Sequence, residues 1–258
     1  MVSLFSAITR LIGLVLLSGA LGGGAVPNAA SVRAAGNPPS GAVGRDVGAQ
    51  SCARALPTGA SFGIIATTAG RPYFSSPCLS SEYTWASGLT YRPQYYINLA
   101  DPGHRSPNWG RGGPRACRRA PKYDAGCAYD YGYEAAAAAW GYVSSVGAPG
   151  RGRWWLDVEI DNTWGYTSHG IAANRAVIRG SLDYLRHRRH VGAGIYTETS
   201  WWYQITGGST DFRGTPVWGG GAGSKRNARH NCLAHSITGG PALVAQWISA
   251  GIDHDLAC

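Results

Sequence analysis

The segment WWLDVEID, residues 154–161, carries an acid at every second position: Asp157, Glu159 and Asp161. In a β-strand, alternate side chains point to the same face, so the three carboxyls would share one face and the apolar residues between them the other. Like charges on one face repel, and at least one carboxyl should therefore have a raised pKa. A protonated carboxyl beside an ionised one is the arrangement that cleaves glycosidic bonds by acid/base catalysis.

Acids near the end of a strand also cap helices, pair with arginine or simply meet water. Asp161 precedes Asn162 and Thr163 and is interpreted as a turn residue, which leaves Asp157 and Glu159 as the candidate catalytic pair. The tryptophans that precede this pair favour a site over a solvated strand end.

Two further acidic positions lie at the ends of the chain. Asp46 belongs to the first strand-like segment, GRDVG, and Asp253 and Asp255 follow the last one in GIDHD. A closed barrel of parallel strands brings its first and last strands side by side, so Asp46 and Asp253 are expected to converge on the Asp157/Glu159 strand end. Asp255 is equally well interpreted as a C-terminal turn residue beside Cys258.

Strand-like and helix-like segments alternate along the chain, a pattern typical of parallel strands joined by crossover helices. The predicted strands are residues 44–47, 61–67, 94–99, 154–160, 192–197, 216–218 and 243–248. The predicted helices are residues 79–86, 133–145 and 171–189, the last capped by Ser168. Because fewer than eight helices are found, the sequence predicts an α/β fold: an irregular, incomplete TIM-like (β/α) barrel in a single domain, residues 42–258.

Residues 101–126 form a long stretch rich in glycine, proline and arginine, with no periodicity. Loops of this length are uncommon unless they are functional or cross-linked. In a barrel, this loop would follow a strand and lie at the rim where substrates bind.

The first 34 residues resemble a secretory signal peptide followed by a leader of small residues, with an apolar run from Leu11 to Leu21 after Arg10. That run is about half the roughly 20 residues that a membrane-spanning helix needs, so we expect a secreted, extracellular or wall-associated protein with no integral span in the mature form.

All six cysteines lie after the leader, an even number that predicts three disulfides in an oxidising compartment. Of the 15 ways to pair six cysteines, we favour the one that closes short or moderate loops. A zinc site formed by His230, Cys232 and His235 is the alternative for the last part of the chain. The favoured pairs are Cys52–Cys78, Cys117–Cys127 and Cys232–Cys258.

The formal net charge is +9, and loss of Arg10 and Arg33 with the leader leaves 21 bases against 14 acids, or +7. Such a protein is attracted to anionic wall polymers or phospholipid surfaces. Nucleic acid is the other interpretation of a high pI, but the arginines are scattered, so no nucleic-acid partner is expected. The cluster of Arg186, Arg188 and Arg189 follows a predicted helix and is interpreted as a solvated face.

Taken in order, these segments resemble the family 25 lysozymes. The residues that carry the resemblance are Asp46-Val47-Gly48, FGIIATT from Phe62, Asp157-Val158-Glu159, Gln246-Trp247 and Gly251-Ile252-Asp253. A second resemblance, to secreted actinobacterial proteins with a glycoside-hydrolase-like domain, rests on ALPTGASFGI, SPCL, YYINLADPG, GCAYDYG, WWLDVE and GIDHDLAC. Two segments depart from the lysozyme pattern: Ile65 stands in place of a lysine, and YYINLA, with Asn98, replaces the usual third strand.

The resemblance implies hydrolysis of the β-1,4 bond after N-acetylmuramic acid in peptidoglycan, without metal or cofactor. Glu159 would be the general acid/base. Asp157 would orient the substrate's 2-acetamido group as that group attacks the anomeric carbon, and Asp46 and Asp253 would complete an acidic floor.

Aromatic residues are abundant, with 10 Trp and 14 Tyr, and such rings stack on sugars as well as fill cores. Trp201-Trp202-Tyr203 would lie at the barrel rim and form a sugar platform. Tyr196 would point into the barrel if Ile195 packs outward, and it could then hydrogen-bond a catalytic carboxylate. The substrate-binding candidates are Asn98, Tyr196, Trp201, Trp202 and Gln246.

Two functional hypotheses follow. The first is an exported monomeric glycoside hydrolase that acts on peptidoglycan or a related amino-sugar polymer. The second is a non-catalytic wall- or glycan-binding protein on the same barrel, which the altered strands and the positive charge favour. A third hypothesis, a nucleic-acid or membrane-surface binder, is supported by the net charge alone.

Overall fold

The computed structural model describes residues 36–118, 121–234 and 236–258, and the predicted leader lies outside these residues. Eight strands form a closed barrel in which each strand pairs with its neighbours in chain order. The strands are β1 Val43–Val47, β2 Phe62–Ala66, β3 Gln94–Asn98, β4 Trp154–Asp157, β5 Ala193–Thr197, β6 Val217–Ala222, β7 Ala242–Ser249 and β8 Ile252–Ala257.

The barrel closes through β8, which was not predicted as a strand. Strands β1 to β7 run parallel, as the alternating pattern indicated, whereas β8 pairs antiparallel with both β7 and β1. The first and last parallel strands are therefore not adjacent, which corrects the expected closure. A two-residue turn, Ala250 and Gly251, connects β7 to β8, and both residues have positive φ.

Five α-helices cover the barrel within the described residues, so it is an irregular α/β barrel with fewer helices than strands, as predicted. Asp124 caps α2 by accepting from the Cys127 N–H. The cap of α3 is Thr167, which accepts from the Gly170 N–H, rather than the predicted Ser168. None of these helices is both long and apolar enough to traverse a bilayer. The helices are α1 Leu79–Ser87, α2 Ala125–Ser145, α3 Ser168–Asp183, α4 Thr199–Thr206 and α5 Lys225–Leu233.

Strand β4 has the predicted alternation of faces but is shorter than predicted. Trp154 and Leu156 pack outward into the main core under the helices, whereas Trp155 lies in a second core inside the barrel. The strand ends at Asp157 because its partners end there too, at Asn98 of β3 and one residue past Tyr196 in β5. The strand is therefore shorter than the predicted 154–160: Glu159 lies beyond its end, and the predicted packing of Ile160 against the helices is wrong, since Ile160 is exposed.

Three disulfides connect the cysteines in the predicted pairs. The Cα atoms lie 5.4 Å apart in Cys52–Cys78, 4.9 Å in Cys117–Cys127 and 5.1 Å in Cys232–Cys258. The last bond ties the C-terminal residue to α5. Cys232 is therefore committed to a disulfide, and the zinc alternative loses one ligand, while His235 lies outside the described residues.

Helices α2 and α3 cross at two glycines. A Cβ placed on Gly132 would overlap the carbonyl oxygen of Val177, and one on Gly180 would overlap that of Tyr129. The Ser181 hydroxyl donates to the Gly132 carbonyl at 2.7 Å, which fixes the helices at this close approach. The crossing holds α3 against the barrel beside β4.

We expect Gly132→Ala and Gly180→Ala each to lower the free energy of unfolding by about 1–3 kcal/mol or more, because neither backbone can yield to a new methyl group. Gly141→Ala is the matched control, since it lies in α2 with open space around its Cβ position. That change should stabilise the protein by about 0.5–1 kcal/mol through helix propensity. Urea unfolding of the three variants checks this, and equal effects at the three positions would contradict the close crossing.

Glu82 of α1 is an acid buried outside the predicted sites. Its side chain is 1% exposed, and Oε2 has no hydrogen-bond partner among the described residues. Burial raises its pKa from 4.5 to about 7. The folded state therefore holds this proton more tightly than the unfolded state does, and stability is lost as the pH rises from about 4.5 through about 7.

Glu82→Gln is expected to leave the stability near pH 5 little changed and to raise it near pH 8 by up to about 3 kcal/mol, because 1 pKa unit corresponds to about 1.4 kcal/mol. Urea unfolding of the wild-type and variant proteins at both pH values provides the measurement. The difference between the proteins isolates Glu82 from other titrating groups. A difference that does not change with pH would show that Glu82 ionises normally.

Candidate active site

A cleft of about 510 Å³ opens at the carboxyl ends of the parallel strands, and it is lined by five acids and no arginine or lysine. Catalytic groups in barrels of this type lie at this end. Four of the five acids were predicted from the sequence, and the barrel brings all four into the same cleft. The five are Asp46, Asp157, Glu159, Glu198 and Asp253.

Asp157 is the last residue of β4, and its carboxyl is held by the neighbouring strand. The Asn98 amide nitrogen donates to Asp157 Oδ2. The orientation of that amide is fixed, because Asn98 Oδ1 accepts from the Thr68 hydroxyl at 2.9 Å and from the Gly70 N–H at 3.1 Å. Asn98 was predicted to contact substrate, and in the structure its amide group binds and orients the Asp157 carboxyl. The other oxygen, Asp157 Oδ1, is buried with no donor among the described residues.

Asp157 and Glu159 form a coupled pair. Asp157 is 4% exposed, and burial, followed by the charge of Glu159, raises its pKa well above the usual value. Burial also raises the pKa of Glu159, with a further contribution from the charge of Asp161. The charge on one carboxyl opposes ionisation of the other, so a single proton on the pair is favoured. Because Asp157 is the more deeply buried, it holds that proton in the free protein.

On the opposite side of the cleft, Asp46 of β1 is held by a chain of side chains. Gln246 Nε2 donates to Asp46 Oδ2 at 3.0 Å, and Gln246 Oε1 accepts from the Tyr196 hydroxyl at 2.8 Å. Tyr196 does point inward while Ile195 packs outward, as expected, but its hydroxyl bonds Gln246 instead of a carboxylate. Burial, then the charge of Asp253, raises the pKa of Asp46 to about 7.

Asp255 lies beneath Asp46, fully buried in β8, so its interpretation as a turn residue is wrong. Its Oδ1 accepts from Trp218 Nε1 at 2.9 Å. Its Oδ2 has no hydrogen-bond partner among the described residues, and the nearby charge of Asp46 opposes its ionisation, so this second carboxyl pair also favours a single proton. Burial, followed by the charge of Asp46, raises the pKa of Asp255 well above the ordinary value, and Asp255 is therefore the protonated partner.

Aromatic rings close the barrel below the acids. The Tyr196 and Trp218 ring centroids lie 4.4 Å apart, and Trp155 and Tyr96 lie 6.0 and 6.2 Å from Trp218. Trp155 Nε1 donates to Gln94 Oε1, so the deepest indole is satisfied. These rings keep water away from the buried side of the carboxyls. This desolvation disfavours the charged form and raises the pKa values of the carboxyls.

The predicted sugar platform is only partly present. Trp201 lines the cleft, and its ring centroid lies 6.4 Å from that of Tyr196 at an interplanar angle of 63°. Trp202 is 1% exposed and packs edge-on against Phe212 in the core, so its assignment to substrate binding is wrong. The reason is that these residues begin a helix, α4, in which consecutive side chains point in different directions.

Several lining residues were missed. Glu198 follows β5 directly, whereas Glu159 lies two residues after β4, and burial raises the pKa of Glu198. Its position at the carboxyl end of a strand was the available signal. Trp247 also lines the cleft and stacks on His254 with ring centroids 4.8 Å apart.

The long loop after β3 does not contribute to the cleft. No described residue between 101 and 126 lines it, which corrects the expectation of a rim position at the substrate. The loop instead packs on α2, where the Asp130 carboxylate accepts from the N–H groups of Arg115 and Cys117. Asp161 is an exposed residue of the turn after β4, as interpreted.

Comparisons with solved structures identify the fold. A muramidase from Acremonium alcalophilum is 20% identical, with 84% of this chain and 93% of that chain covered and a TM-score of 0.53. A lysozyme from Streptomyces coelicolor is 19% identical, with 84% and 92% covered and a TM-score of 0.53. A family 25 lysozyme from Aspergillus fumigatus is 17% identical, with 84% and 93% covered and a TM-score of 0.51. No family model and no curated protein matches the sequence.

The chain therefore has the barrel fold of the family 25 lysozymes, as its motifs indicated. At these identities the likeness defines the fold, and the arguments for activity come from the cleft itself.

Proposed function

We propose that the protein is an exported glycoside hydrolase that cleaves β-1,4 bonds of peptidoglycan or a related amino-sugar polymer. The observation that carries the proposal is the Asp157/Glu159 pair, two neighbouring acids whose pKa values are both raised, in a cleft open to solvent. A protonated and an ionised carboxyl are the two groups that glycosidic cleavage requires. The solved relatives are a muramidase and lysozymes, which agrees with this substrate class.

The shared proton can serve both roles. An acetamido N–H of the bound sugar donates to Asp157 and stabilises its carboxylate, so the shared proton moves to Glu159. Glu159 then gives this proton to the leaving oxygen while the acetamido oxygen attacks the anomeric carbon. The glycosidic C–O bond breaks as the new C–O bond forms. Glu159, now ionised, takes a proton from the water that opens the intermediate, and the pair regains its starting state.

The other acids determine the electrostatic potential of the cleft. The ionised carboxylates among Asp46, Glu198 and Asp253 stabilise the positive charge that develops on the sugar ring in the transition state. Trp201 supplies a ring against which a sugar can pack. No step in this scheme uses a metal or a cofactor. The three disulfides fit an oxidising compartment outside the cell, and we propose that the protein acts there as a monomer.

The test is digestion of purified peptidoglycan by the mature protein, followed by measurement of new reducing ends and mass spectrometry of the fragments. The proposal predicts fragments with muramic acid at the new reducing end. Asp211→Asn is the matched control, because Asp211 is exposed and pairs with Arg175 away from the cleft. Intact walls after prolonged incubation at several pH values would contradict the proposal.

The second candidate is a glycan-binding protein without turnover. One observation favours it: a Cβ on Gly48 would overlap the Tyr96 hydroxyl, so Tyr96 occupies space at the cleft that a side chain at position 48 would use. In this case, walls should retain the protein in pull-downs, no fragments should appear, and Glu159→Gln should leave retention unchanged.

A further inference from the structure

A second concave site lies at the end of the barrel opposite the acidic cleft. It has a volume of about 550 Å³ and is formed by segments that precede β3, β4 and β5. We call it the arginine pocket and define it by Arg92, Arg151, Arg189, His190 and Trp140. From the sequence, Arg189 was interpreted as part of a solvated face.

The arginine pocket is positively charged and unneutralised. No carboxylate lines it, and none of its three arginines forms a salt bridge within the described part of the chain. A fourth guanidinium adds to the charge, because Arg153 Nη1 reaches the pocket wall at Gly192. Cations held close together without a partner repel one another, and an anion placed between them relieves that repulsion.

Two of the guanidinium groups are held in place. Arg189 Nε donates to the Tyr184 hydroxyl at 2.7 Å, and its guanidinium lies 4.8 Å from the Trp140 ring centroid. Arg92 Nη1 donates to the Arg151 carbonyl at 3.1 Å. Each group keeps free N–H donors, and the planar guanidinium fork matches the geometry of phosphate oxygens.

We propose that the arginine pocket binds the phosphate groups of a linear polymer without aromatic bases, such as a polyol phosphate. Apart from the His190 imidazole, the aromatic ring of the pocket is Trp140, and its coverage by neighbouring groups favours this class over nucleic acid. Trp154 stacks on Trp140 at 5.5 Å and Arg189 lies over the same ring, so little of the indole remains for a base. The ionised acids of the cleft repel such a polymer, which leaves the cleft free while the opposite end is bound.

The test measures binding of a labelled synthetic poly(glycerol phosphate) oligomer by fluorescence anisotropy at several salt concentrations. A triple variant, Arg92→Gln, Arg151→Gln and Arg189→Gln, is compared with the control triple Arg54→Gln, Arg226→Gln and Arg229→Gln. The control removes the same charge from exposed positions elsewhere. Near physiological salt, the pocket triple is expected to raise Kd by about 10- to 100-fold and to reduce the salt slope by about two, and the control by less than about threefold.

Equal losses in the two triples would overturn the proposal, because they would show attraction to net charge alone. Stronger binding of single-stranded DNA with the same number of phosphates would overturn the choice of a base-free polymer. If the pocket triple does not fold, Arg151→Glu replaces it, since the Arg151 side chain makes no hydrogen bond to described residues. Glu159→Gln should bind the oligomer as the wild-type protein does, so the outcome is independent of hydrolysis.

Discussion

Replacing Glu159 with glutamine is expected to lower the rate of glycan hydrolysis by about 10²- to 10⁴-fold, the usual contribution of a general acid. The amide keeps the size of the side chain but cannot deliver a proton to the leaving oxygen. Substrate affinity should change little, since the change removes a transition-state interaction and leaves the cleft intact. Reducing-end assays at saturating substrate, together with retention on walls, separate these two quantities.

The pH profile adds a second criterion to the Glu159 experiment. Catalysis requires one proton on the Asp157/Glu159 pair, so activity should fall when a second proton binds at low pH and when the shared proton leaves at high pH. Because burial raises the pKa of both carboxyls, the alkaline limit should lie well above the ordinary range of a carboxyl group. Wild-type-like hydrolysis by Glu159→Gln, with Asp211→Asn as the reference, would contradict the assignment.

The second large effect concerns Asp255, which acts through Asp46. Asparagine at position 255 can reproduce the protonated acid, because its oxygen can accept from Trp218 Nε1 and its amide can donate to Asp46. Asp255→Asn should therefore keep hydrolysis close to that of the wild-type protein. Asp255→Leu keeps the branched shape of the side chain but leaves the Trp218 indole without an acceptor, at a cost of about 1–3 kcal/mol, and leaves Asp46 with Gln246 as its side-chain partner.

Asp255→Leu is therefore expected to lower the equilibrium constant for folding by about tenfold or more. The rate constant for hydrolysis should fall by about tenfold or more as well. The pH dependence distinguishes the two variants further. In the folded protein the pKa of Asp255 lies well above its ordinary value of 3.8. The free energy of unfolding therefore falls as the pH rises above that value. Asp255→Asn removes this loss and should be more stable than the wild-type protein near pH 8. Equal damage by the two substitutions would show that Asp255 acts as an ionised group.

The sequence predicted most of the barrel and most of its acids for a definite physical reason. Parallel strands end at the same rim, so residues at the ends of distant segments, such as Asp46 and Asp157, converge whatever lies between them. The disulfide pairing could also be predicted from the sequence, because the favoured pairs close short or moderate loops.

Strand β8 was missed because its inward residues are polar. Asp253 and Asp255 point into the cleft and the barrel, so β8 lacks the apolar alternation by which strands are recognised. Trp202 was misplaced because the start of α4 was not recognised, although Trp202 and Ile205 have the helical spacing of a buried face. The Asp46/Asp255 pair could not be predicted, since it depends on side-chain orientation between β1 and β8, which are far apart in sequence.

The central claim is that a protonated and an ionised carboxyl coexist in the cleft, and carboxyl ¹³C NMR titration of Asp157 and Glu159 tests it most directly. We predict that the pair loses its protons in two separate steps, with Asp157 still protonated at neutral pH, and that Glu159→Gln lowers the pKa of Asp157 by removing a neighbouring charge. If both carboxyls titrate together in the ordinary range, and Asp157 is unaffected by Glu159→Gln, the pair shares no proton and the proposed chemistry has no acid.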